Sequence, residues 1–148
     1  MQRDVIALVA DAVQAAGIAQ VYGYGLSAPR ALPPVLPAGG VSAVVIPGAT
    51  VDLSLLGGAL RHTYEVEVRL MVPLGDVGTS AQAALPLPDE VLEVCIERLA
   101  SASGAYNGLR PARVSAPATV DYGGADYLQH TLVLEVSEHR LINAGVGP

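Results

Sequence analysis

Apolar and polar positions alternate most clearly from His62 to Val72. Tyr64, Val66, Val68, Leu70 and Val72 fall on one side, and Thr63, Glu65, Glu67 and Arg69 on the other, with Met71 interrupting the polar series. A period of two predicts a strand with one dry and one wet face. Its 11 residues span roughly 36 Å at ~3.3 Å each. Leu128 to Glu138 repeats the pattern: Leu128, Leu132, Leu134 and Val136 share one face, and Gln129, Thr131, Glu135 and Ser137 the other.

Two other segments carry helical spacing. In Gln2 to Ala16, Ile6, Val9, Ala10 and Val13 sit at i, i+3, i+4 and i+7, widened by Val5 and Ala16. Gly17 terminates this helix, because glycine takes the left-handed conformation at little cost. From Pro88 to Ser101, Leu92, Cys95, Ile96 and Leu99 form an apolar face, and Pro88 and Asp89 suit the first turn. Short strands are expected at Ile18 to Tyr22 and at Val41 to Ile46, the second stopped by Pro47-Gly48. Val114 to Tyr122 reads as a strand that Pro117 confines to an edge or a bulge. Gly123-Gly124 turns the chain.

Ala28 to Gly40, Thr50 to Leu60 and Pro73 to Pro88 read as connections, Asn107-Gly108 as a turn, and Leu141 to Pro148 as a tail. The order predicts one α+β domain over residues 1 to 148: an antiparallel or mixed sheet of four to five strands, with two helices packed on its dry face.

Composition sharpens this picture. The chain has 148 residues and a net charge of −6, with no Phe, no Trp and six Tyr. Its core must come from Val, Leu, Ile and Ala. All eight basic residues are Arg and none of them cluster, which argues against binding of nucleic acid. Cys95 is the sole cysteine, so no disulfide framework or cysteine-rich metal site is expected, and a reducing compartment fits. No basic region leads into an apolar signal core, and no apolar run is long enough to cross a membrane, so the chain reads as soluble.

Candidate chemistry is sparse. Gly23-Tyr24-Gly25-Leu26-Ser27-Ala28 fails as a dinucleotide loop, because Pro29 blocks the helix that must follow. Ser27, Ser54 and Ser80 lie outside any nucleophile-elbow pattern. His62 and His130 begin strands that can be neighbours, and His139 is the third histidine. Convergence of His62 with His130 is the one arrangement that would support a small-molecule or enzymatic site. Cys95 reads as a small core hydrophobe. No cofactor, metal or catalytic residue is assigned. Glu90, Glu93 and Glu97 form an acidic stripe, read either as a solvated face or as a surface facing a charged partner or a pore. The connections are apolar for surface segments: Leu32, Pro33, Pro34, Val35 and Leu36, then Leu53, Leu55 and Leu56, then Leu85. Either they fold back on the core or they are buried against other subunits.

Taken in order, these segments resemble the tail terminator (tail completion) proteins of long-tailed bacteriophages. The resemblance rests on the N-terminal helix ending at Gly17, on Val21-Tyr22-Gly23, and on the proline-rich stretch leading to Val41-Ser42-Ala43-Val44-Val45-Ile46. It continues through Thr63 to Pro73, the helix Asp89 to Leu99, Asp121-Tyr122 and Leu132-Val133-Leu134-Glu135-Val136. It covers the chain to about Glu138. Ala28 to Gly40 and Leu141 to Pro148 depart from the pattern in length or proline content.

The resemblance implies a ring, expected to be a hexamer, at the head-proximal end of the tail tube in the virion. Its partners would be its own copies, the tail tube protein and a head-completion or neck protein. DNA would only pass through the lumen, no membrane would be involved and no catalysis would occur. The apolar connections would then be interfaces, and Glu90, Glu93 and Glu97 would face the lumen. The alternatives are a head-completion or tail-tube subunit, or a small-molecule-binding α+β domain.

Overall fold

The computed structural model describes residues 2–18, 20–23, 41–74, 87–101 and 106–141. The elements are α1 (Gln2–Ala15), β1 (Gln20–Gly23), β2 (Ser42–Leu56), β3 (Ala59–Pro73), α2 (Leu87–Ser101), β4 (Tyr106–Val114), β5 (Ala118–Tyr122) and β6 (Ala125–Leu141). The class is α+β. The six strands form one mostly antiparallel sheet in the order β1-β2-β3-β6-β4, with β5 also paired to β6. Only β1 and β2 run parallel among these pairings.

Two strands form the spine. β3 and β6 pair without a register break from Ala59↔Leu141 to Pro73↔Tyr127. The even-numbered face of both is buried: Tyr64, Val66, Val68, Leu70, Leu132, Leu134 and Val136 are each 0% exposed. They form one cluster with Val5, Ile6, Val9 and Val13 of α1, Val91 and Cys95 of α2, and Ala43 and Val45 of β2. The helical period of α1 and the two-residue period of the strands meet in that layer. Gly17 ends the first helix at φ +103°, where Gly17 N–H donates to the Gln14 carbonyl at 3.1 Å.

Several sequence-based expectations change. Among the described residues the sheet has six strands, not four or five. β2 does not stop at Pro47-Gly48 but continues to Leu56 through register shifts between Pro47 and Asp52. Among the described residues, β1 pairs β2 only as far as Val45, so no described strand pairs with Pro47 on that side, and its missing N–H is tolerated there. Thr50 to Leu60 is therefore no loop: it forms the outer half of a hairpin whose turn is Gly57-Gly58. Leu56 pairs with Ala59, leaving a two-residue turn with φ of +58° and +80°. Such turns need positive φ at both central residues, which glycine supplies without strain.

Asn107-Gly108 is not a free turn either, since it sits in β4 at a register shift between Tyr106 and Gly108. The expected strand Val114 to Tyr122 is split. Ser115, Ala116 and Pro117 separate β4 from β5, and both halves lie along the same edge of β6. Ser115 pins the break, as its N–H donates to the Thr131 carbonyl and its Oγ accepts from the Thr131 N–H, each at 2.9 Å. Leu141 belongs to β6 rather than to a tail.

The opposite face of the sheet is not uniformly wet. Val44, Met71 and Tyr127 are buried there, with Tyr22, Ile46, Val120, Tyr122 and Ala125 packed against them. Met71, the interruption in the polar series, sits within this second apolar cluster. Towards the other end the same face becomes polar. Glu65 stands opposite Glu135, a repulsive pairing, and Arg113 of β4 reaches Glu65 at 3.1 Å.

Candidate functional site

The histidines do not converge. His62 and His130 do lie on adjacent strands, but His62 pairs with Glu138 and His130 with Leu70. Eight residues separate the two rungs along an antiparallel pair, roughly 26 Å at ~3.3 Å per residue. Neither a metal nor a general-base arrangement can include both. Among the described residues, no three His, Cys, Asp or Glu side chains come together as a metal set.

Each histidine has its own local setting. His130 is buried on the helix side. Its Nδ1 lies 3.3 Å from the Ser115 carbonyl oxygen, and its Nε2 has no hydrogen-bond partner among the described residues. His62 belongs to a polar group at the far end of the same face. Its Nε2 is 3.3 Å from Thr50 Oγ1, and its ring packs 4.7 Å from that of Tyr64. The Tyr64 hydroxyl donates to Glu138 Oε1 at 2.6 Å, a short, charge-assisted bond. This group closes the end of the core, because the Tyr64 ring is fully buried and its hydroxyl needs an acceptor. His139 is exposed on the opposite face, paired with Arg61. Cys95 is buried in the main cluster, and burial pushes its thiol up to about 12. A thiol so desolvated is a packing group and not a nucleophile at neutral pH.

The distinctive surface is the outer half of the β2–β3 hairpin. Leu53 and Leu55 are 61% and 63% exposed, and Val51 is 52% exposed. Leu53 stands opposite His62 and Leu55 opposite Leu60. Both leucines therefore continue the buried face of the sheet, beyond the residues that the helices cover. Leu56 closes the strand at the rung with Ala59.

Of the other residues expected at interfaces, Leu32, Pro33, Pro34, Val35, Leu36 and Leu85 lie outside the described residues. So do the serines at 27 and 80 and most of the glycine-rich segment after Gly23. Ser54 is half-buried within β2. Glu90, Glu93 and Glu97 are all exposed on α2, as is Asp89 in its first turn. The acidic stripe and the leucine pair therefore occupy different elements.

Sequence reasoning placed Leu53 and Leu55 in a connection, and so missed that they alternate along a strand. Gly57-Gly58 between two alternating segments was the available signal. The apolar group around Met71 and Tyr127 was missed as well. Its members come from β1, β2, β3, β5 and β6, and no single segment displays them. No protein-family model matches the chain, and no curated protein matches it. Among the described residues, no helix is long and apolar enough to cross a membrane.

Proposed function

We propose that the protein is a structural subunit of a long-tailed bacteriophage. It forms a ring at the head-proximal end of the tail tube, ends tube polymerisation and joins the tail to the neck of the head. The observation that carries this reading is the uncovered extension of the sheet. Leu53 and Leu55 continue a buried face into solvent, and exposed apolar surface of this kind marks contact with other protein.

The dispersal of the titratable groups supports an architectural role over a catalytic one. The separation of His62 from His130 removes the main argument for a small-molecule site. In this reading two helices cover one face of the sheet, the hairpin and the apolar connections seal contacts with sister subunits and the tube, and Glu90, Glu93 and Glu97 line the lumen. A negative lumen repels phosphate and lets DNA slide through without sticking. A head-completion or tail-tube subunit is the runner-up within the same class of assembly.

Negative-stain electron microscopy of the purified protein, alone and mixed with tail tube protein, is the test. Discrete rings that cap tubes of defined length are expected. Long cylinders of this protein alone would favour a tube subunit. Light scattering that gave only monomer at every concentration, with no binding to tube protein, would overturn the assembly reading.

A further inference from the structure

We draw no further inference here: the strongest candidate, the apolar cluster of Val44, Met71 and Tyr127 on the sheet face away from the helices, with Tyr22, Ile46, Val120 and Tyr122 packed around it, is a surface patch for which nothing among the described residues shows what covers it.

Discussion

The inner and outer halves of the β2–β3 hairpin use the same two strands and the same alternation, yet they behave as different materials. In the inner half, Ala43 and Val45 face Leu70 and Val68 under α1, and all four are 0% exposed. In the outer half, Leu53 and Leu55 point to the same side of the sheet and are more than half exposed. Strand pattern alone does not make a core. A period of two states which residues share a face, and burial then depends on whether a second layer reaches that far. The helices stop short, and the hairpin carries its apolar face past them.

The widest gap between the halves should appear on truncating a side chain. Leu132 is fully buried among Leu134, Val68 and the helices. Leu132→Ala should lower unfolding free energy by about 2–5 kcal/mol, through lost transfer energy and a residual cavity. Urea denaturation followed by circular dichroism measures it. A loss under about 1 kcal/mol would mean that the inner layer is as loosely packed as the outer one.

The junction between the halves is a second point of leverage. At Gly48 a Cβ would come within 2.9 Å of Glu65 Cβ and 3.0 Å of the Glu65 carbonyl oxygen. Backbone must shift to admit it. Gly48→Ala should cost about 1–3 kcal/mol by the overpacking mechanism, and the same denaturation assay reads it. No change would show that β2 flexes freely at its bulge, and the two halves would then be mechanically independent.

Cys95 probes how dry the inner layer is. Its thiol is raised from 9.0 to about 12 by burial. A folded-state value above the unfolded one gives stability that is complete below pH 9 and is lost as pH rises towards 12. At pH 10 the expected loss is about 1.4 kcal/mol, the cost of one unit of differential protonation. Cys95→Ala removes this term, so the stability gap between wild type and variant should shrink by that amount between pH 8 and pH 10. A gap that stays constant would place water beside the thiol.

The inner half was readable from the chain, and the outer half was not. Tyr64, Val66, Val68 and Leu70 announce their strand because every second residue is apolar, and α1 announces itself at i, i+3, i+4 and i+7. Pro47-Gly48 looked like a stop because proline cannot donate to a ladder. It is tolerated because the described pairing with β1 stops at Val45, and that is a fact of tertiary placement. β4 was hidden for a similar reason. Asn107-Gly108 and Pro111 are turn and breaker residues that an edge strand absorbs as bulges. The apolar character of Leu53 and Leu55 is plain in the sequence, whereas the alternation that aligns them on one face depends on recognising Gly57-Gly58 as a hairpin turn. The polar group of Thr50, His62, Tyr64 and Glu138 draws on three strands, so no local spacing could reveal it.

The smallest effect tests the comparison from the other side. Leu53 is a large aliphatic residue in a strand, the kind of position where truncation usually hurts. It buries little of itself, so Leu53→Ser should change the stability of dilute protein by no more than about 0.5 kcal/mol. Thermal unfolding at low concentration, where copies do not meet, is the measurement. A loss of 2 kcal/mol or more would mean that Leu53 is covered within its own chain. The leucine pair would then belong to the domain's core, and the argument for an outward-facing sheet extension would fail with it. A near-zero change beside a large one at Leu132 would show that this chain keeps two leucines on the surface at no benefit to its own fold. Their role would then have to be sought in what the hairpin touches.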